Sequence, residues 1–260
     1  MRTTVIFNAK GGVGKTTTTI NMAAELAARG HRVCVIDADP QCNATDFLLP
    51  PAEDASGCQT LYDVLTGEAS YYPEFVWDSR IKRVSLVQGD EQLSLADLAA
   101  LQKGGVRLRA VRDLIEAFAE DDAFDFVLID CPPGFTAATT AALAAADDVV
   151  IPMKLDAFSI RGEENLVRQI NGMREFNPRL RVAGVLVTMA EPRTKVGRQG
   201  MELLRESAIP VFDNMIPRST LVDQSTFAKL PLRDMRGAEV LAMQYGCLVD
   251  EYLKGGANRG

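Results

Sequence analysis

The sequence predicts an α/β fold: a doubly wound, mostly parallel sheet of seven to eight strands with helices on both faces. Three observations carry this expectation. Short apolar runs alternate with helical patterns along the chain, as a parallel sheet with crossover helices requires. Several runs, such as Asp148 to Met153, are almost continuously apolar, which is how strands read when both faces of a sheet are covered. The 260 residues are 47% hydrophobic and contain no long Pro/Gly/Ser-rich linker, enough for one large core.

Strands are expected at Thr3 to Asn8, Arg32 to Asp37, Val84 to Gln88, Phe126 to Asp130, Asp148 to Met153, Val182 to Thr188 and Val211 to Ile216. Helices are expected at Lys15 to Arg29, Glu91 to Leu101, Val106 to Glu120, Thr136 to Ala146, Ile160 to Phe176, Lys195 to Glu206 and Ala238 to Leu253. Gly30 is placed to end the first helix and Asn177-Pro178 the fifth. From Pro50 to Arg83 the pattern is broken by Gly57, Gly67 and Pro73, so this stretch reads as an insertion over the sheet edge with one short helix near Leu61 to Leu65. Its aromatic residues Tyr71, Tyr72, Phe75 and Trp77 form either a satellite core under a long loop or a docking surface.

Between the first strand and the first helix lies Lys10-Gly11-Gly12-Val13-Gly14-Lys15-Thr16-Thr17. Glycines let the backbone curl so that its N–H groups point inward, and a helix N-terminus behind them favours anions. In this strand-loop-helix context the motif reads as a phosphate-binding loop, the hallmark of a P-loop NTPase. Lys15 is placed for β- and γ-phosphates and Thr16 for Mg²⁺. Ligands of doubly wound sheets sit beyond the carboxyl ends of the strands. Two other strand exits carry carboxylates: Asp37-Ala38-Asp39-Pro40-Gln41-Cys42-Asn43, and Ile129-Asp130-Cys131-Pro132-Pro133-Gly134. An apolar run ending in Asp130 is a Walker B pattern, suited to the Mg²⁺ water shell beside Thr16.

Lys10 at the first loop position, Asp39 before Pro40, the Ile129-Asp130-Cys131-Pro132-Pro133 exit, Thr188 followed by Arg193-Thr194, Ile216-Pro217-Arg218, and Arg236-Gly237-Ala238-Glu239 together resemble the ParA/MinD family of deviant Walker ATPases, over nearly the whole chain. The resemblance implies a single ATPase domain over 1–254 and a flexible tail over 255–260. It implies ATP and Mg²⁺ as cofactors, with Lys10, Lys15 and Asp39 catalytic and Asp39 positioning the attacking water. Thr16, Asp39 and Asp130 would serve the metal. Gly11, Gly12, Val13, Gly14, Thr17 and Asn43 join the lysines around the nucleotide, and Met189 and Pro217 are candidate adenine contacts. Lys10 would reach the partner's nucleotide in an ATP-bound homodimer. Function would be partition of a plasmid, mobile element or chromosome, with slow hydrolysis stimulated by a ParB-like protein.

Non-specific DNA contacts are assigned by the same resemblance to Arg193, with Arg198, Arg218, Lys229 and Arg233 as further candidates, because Leu221 stands where relatives carry another arginine. Cys42 replaces a common glycine, which a backbone of negative φ would accommodate.

Bulk properties limit the partners. The net charge of −7 excludes a surface basic throughout, so nucleic-acid binding needs a local patch. Arg161 to Arg218 holds ten basic and seven acidic residues, compatible with such a patch or with a solvated helix face. Five cysteines without a Cys-x-x-Cys pair, and a lone His31, give no zinc constellation. No apolar run reaches roughly 18 residues, so the expectation is a cytoplasmic protein without a membrane partner, and the resemblance implies association with the nucleoid. The alternative is a cargo- or membrane-positioning ATPase of the MinD type, which would need a basic amphipathic C-terminal helix; this chain ends Asp250-Glu251-Tyr252-Leu253-Lys254-Gly255-Gly256 before a short polar tail.

Overall fold

The computed structural model describes the chain apart from residues 51–58, 69–71, 156–158, 192–193, 208 and 257–260. Its strands are β1 Arg2–Ile6, β2 Val33–Asp37, β3 Val76–Asp78, β4 Val84–Val87, β5 Phe126–Asp130, β6 Asp148–Lys154 and β7 Arg181–Thr188. The first six helices are α1 Lys15–Ala28, α2 Asn43–Leu48, α3 Leu61–Thr66, α4 Ala96–Gln102, α5 Ala110–Glu120 and α6 Ala137–Ala145. They are followed by α7 Ser159–Gly172, α8 Lys195–Glu206, α9 Thr220–Ala228 and α10 Glu239–Leu253.

The strands form one seven-stranded sheet in the order β3-β4-β2-β5-β1-β6-β7. All neighbours are parallel except the β3·β4 pair. Register places Ile6 and Asp37 on either side of Asp130, so the exits of β1, β2 and β5 end level. Two cores flank the sheet. One packs α3 to α8 against Val5, Cys34, Ile36, Val127 and Ile129; the other packs α1, α2 and α10 against Ile6, Val33, Val35 and Leu128. The alternation of strand residues between the two follows from the period of two.

Asp148, fully buried, joins three strands at the opposite end of the sheet. It accepts from Arg2 of β1 and Arg181 of β7, each at 2.5 Å. The Tyr252 hydroxyl meets Thr4 Oγ1 at 2.5 Å, which fixes α10 to β1.

Two expectations are corrected. Val211 to Ile216 is not a strand: it meets β7 at the isolated bridge Val185·Val211 and through Ile216 N, which donates to Val187 O at 2.9 Å, and a second isolated bridge, Ala190·Pro217, lies just beyond both segments. Between them the N–H groups of Asp213 and Asn214 donate to the Glu251 carboxylate, at 2.9 and 3.4 Å, and so are taken from any ladder. The seventh strand is instead β3, inside the insertion. The insertion's aromatic residues are divided: Phe75 lies in the first core and Trp77 leans on the second, while Tyr71 and the side chain of Tyr72 lie outside the described residues. Gly255 and Gly256, assigned to the tail by the sequence, close the end of α10, their N–H groups donating to Tyr252 and Glu251.

Candidate functional site

The phosphate loop runs from the end of β1 into α1. Gly12 (φ 69°) and Gly14 (φ 84°) adopt the left-handed backbone that glycine enters without Cβ strain. Both flanks of the loop are tied down. Asn8, 1% exposed, donates through Nδ2 to Pro152 O of β6 at 2.8 Å and accepts from Lys10 N at 2.9 Å. The Thr188 hydroxyl, ending β7, donates to Val13 O at 2.8 Å. Lys15 is buried, and its Nζ donates to Lys10 O at 3.1 Å. Burial lowers its pKa against the opposing pull of Asp130 and Asp39. Thr16 and Thr17 stand half-buried on the first turn of α1. Lys10 is half-buried and reaches the start of α7, its Cε 4.0 Å from where a Cβ on Gly162 would stand.

Three carboxylates meet this loop. Asp130, fully buried, accepts from Thr19 Oγ1 at 3.0 Å through Oδ1, and its Oδ2 has no hydrogen-bond partner among the described residues. Burial and the neighbouring Asp37 push its pKa well up, offset in part by the nearby Thr16 and Thr19 hydroxyls. Asp37 is also fully buried and raised by burial, and it holds the next turn: Thr45 N and Oγ1 donate to its Oδ2 at 2.7 and 2.8 Å. Asp39, 8% exposed, accepts from Gln41 N at 2.9 Å. Asn43 is exposed at the start of α2. A buried carboxylate oxygen lacking a hydrogen-bond donor, beside a threonine hydroxyl and a phosphate loop, is an arrangement that a hydrated Mg²⁺ satisfies, so the residues present fit that ion.

Beside the loop opens a cavity of about 420 Å³. Gly14 and Thr17 lie at one end, Met189 and Pro217 on its wall, and Thr220, Val222 and Asp223 of α9 opposite. The volume suits a nucleoside-sized ligand. Met189 itself sits at φ 49°, unusual outside glycine.

A family model described as an AAA domain matches residues 1–182. The chromosome partitioning protein ParA of Caulobacter vibrioides (strain NA1000 / CB15N) is 37% identical over 227 residues, covering 86% of this chain and 84% of that protein. The chain belongs to the ParA family of P-loop ATPases. Another ParA-family relative, sporulation initiation inhibitor protein Soj of Bacillus subtilis (strain 168), is 33% identical over 241 residues, with 90% and 93% covered. A solved structure described as cobyrinic acid a,c-diamide synthase from Mycobacterium smegmatis, with bound ATP analogue and magnesium, has a TM-score of 0.81 at 28% identity, covering 98% of this chain and 95% of that one.

Among the residues assigned to DNA from the ParA-family resemblance, three form ion pairs. Arg193 lies outside the described residues. Arg198 is exposed on α8, whereas Arg218 pairs with Glu191 at 3.3 Å, Lys229 with Asp46 at 2.5 Å and Arg233 with Glu25 at 3.0 Å. Leu221 is half-buried against the second core. At Cys42, before α2, the backbone is left-handed, φ 53°, so the negative φ that would accommodate a side chain in place of glycine is not met.

Sequence reasoning missed the roles of Asp37 and α9. Asp37 carried no signal beyond being the first aspartate of its motif. For α9 there was one: Ser219 caps the helix, its hydroxyl accepting from Leu221 N at 3.2 Å, and Asp223 lies in the first turn.

Proposed function

We propose that the chain is an ATP-driven dimerisation switch for DNA partition. The observation that carries this reading is the convergence of the Lys10–Thr17 loop, Asp39 and Asp130 at one end of the sheet beside a nucleoside-sized cavity. ATP lies with its phosphates along the loop amides and its adenine between Met189 and Pro217. Thr16 and Asp130 would hold Mg²⁺, which would supply positive charge to stabilise the charge developing on the phosphates. Lys15 leaves Lys10 O for the phosphate oxygens, and Asp39 orients a water. That water's oxygen forms a bond to the γ-phosphorus as the bond to the bridging β-phosphate oxygen breaks, giving ADP and phosphate.

Lys10 swings from α7 to the nucleotide of a second copy, so that ATP joins two chains. The dimer binds DNA without sequence preference, and a ParB-like partner triggers hydrolysis and release. The ParA and Soj relatives support this assignment, and the ATP analogue and magnesium in the solved neighbour support the cofactors. Membrane positioning is disfavoured by α10, whose Leu241, Tyr245, Leu248, Val249 and Tyr252 are buried in the core. Its polar end carries Asp250 and Glu251 rather than a basic face.

The test is DNA binding and size-exclusion chromatography with ATP, ADP or no nucleotide. Wild type should dimerise and bind DNA only with ATP. Lys10→Ala should remain monomeric with ATP, whereas Asp39→Ala should stay dimeric because hydrolysis is blocked. An Asp39→Ala protein hydrolysing ATP at the wild-type rate would remove that residue from its role. A wild type that ignores ATP in both assays sinks the switch.

A further inference from the structure

On the side of the sheet occupied by α1, at the end opposite the phosphate loop, a trough of about 300 Å³ opens between the C-terminal half of α1 and the turn that leads into β4. Its floor is Ala24, Ala27 and Ala28, side chains short enough to let a bulky ligand approach. Its rim carries four cations, Arg80, Lys82, Arg83 and Arg233, against one anion, Asp234. In a chain of net charge −7 that concentration stands out.

Three of the four cations are without an ion pair among the described residues. Arg80 donates to Leu49 O at the end of α2. Arg83, held at φ 66°, donates through Nη1 to Gly30 O at 2.9 Å. Neither makes an ion pair with a described residue. Lys82 is exposed and has no described partner. Arg233 alone is paired, with Glu25 at 3.0 Å and Asp234 at 3.8 Å. An arginine has five N–H donors, so each guanidinium anchored by one bond keeps others for a ligand.

We infer that this trough docks the phosphate backbone of double-stranded DNA, contacted by Lys82, Arg83, Arg80 and Arg233. The inference rests on the DNA-binding reading above and relocates its contacts. An open run of cations contributed by two separate segments presents its charge to an extended polyanion such as a duplex backbone. A single small anion would be better served by an enclosed cluster of donors. The relocation also answers the loss of an arginine at Leu221: the half-buried leucine serves the core, and the charge is found along the neighbouring edge, where Arg233 follows α9. Backbone contacts of this kind carry no sequence information, which agrees with a protein that holds DNA without choosing a site.

The experiment measures binding of a labelled duplex of arbitrary sequence to the full chain with ATP, across a series of salt concentrations. Removing one cation from a phosphate lowers the slope of log K against log salt by about 0.9. Lys82→Gln should reduce the slope by about 0.9 and Lys82→Gln/Arg83→Gln by about 1.8, both binding more weakly at low salt. Because Lys82 makes no hydrogen bond or ion pair with a described residue, an unchanged melting temperature for Lys82→Gln shows that its defect is not unfolding. Wild type binding DNA while both variants keep its affinity and slope overturns the trough and leaves the partition reading standing. A wild type that binds no DNA with ATP overturns both. Loss of binding to phosphatidylserine vesicles in the double variant, with DNA affinity unchanged, assigns the trough to an anionic membrane and overturns it too.

Discussion

At the scale of single residues, the site holds its charges at a cost to the nucleotide-free protein. Asp130 and Asp37 are both fully buried on adjacent strands, and burial disfavours their ionised forms. Asp130→Asn should therefore raise the melting temperature of the ligand-free protein near neutral pH, by about 2–4 °C for roughly 1 kcal/mol in a domain of this size. It should abolish Mg²⁺-dependent hydrolysis, and calorimetry with an ATPase assay reads both. Cys42 carries a different strain. Its left-handed backbone costs an L side chain about 1–2 kcal/mol, part of which glycine's greater unfolded freedom cancels. Cys42→Gly should leave the fold intact and stabilise it by up to about 1 kcal/mol, measured by urea denaturation.

At the scale of elements, α9 shows how a short helix can escape the sequence and still shape the site. It spans nine residues, too few for a sustained apolar stripe, and its packing depends on the turn around Pro217, which no periodicity reports. Ser219→Ala should cost about 1 kcal/mol of stability and weaken ATP through the wall at Thr220, Val222 and Asp223. Isothermal titration should show a lower affinity for ATP, while inorganic triphosphate, which lacks the base, binds as before. The strands around the loop were legible for a plain reason: buried parallel strands are written as apolar runs, and their exits as Gly, Asp and Thr. The misplaced strand at Val211 to Ile216 has such a run at its ends, but Glu251, distant in sequence and part of a different helix, takes the N–H groups that a ladder needed. The role of Asp37 was hidden for the same cause. Its partner Thr45 becomes a neighbour only after α2 folds back.

At the scale of the whole molecule, carboxylates of opposite behaviour set the response to pH. Arg32 holds Asp125 down to about 2. Its contribution is present above the unfolded carboxylate value of about 3.9 and is lost as pH falls from there towards 2. Asp37 and Asp130 are raised, so the folded state binds more protons than the unfolded one, and stability declines as pH rises from about 4 through their folded values. Melting curves of the ligand-free protein should show a maximum in mild acid. Mg²⁺-ATP should flatten the upper limb and add about 2.7 kcal/mol at a hundredfold excess over Kd. An upper limb unchanged by Mg²⁺-ATP would separate the two carboxylates from the nucleotide.

Asn8 has a consequence for time rather than for energy. One side chain fixes β6 to the first residue of the phosphate loop, and Thr188 fixes β7 to its middle, so the cradle is already shaped before ATP arrives. Nucleotide capture then needs no ordering of that loop, and mixing experiments should find a single association phase whose rate rises in proportion to ATP concentration. The proposed joining of two chains would add a slower phase whose rate follows the concentration of protein.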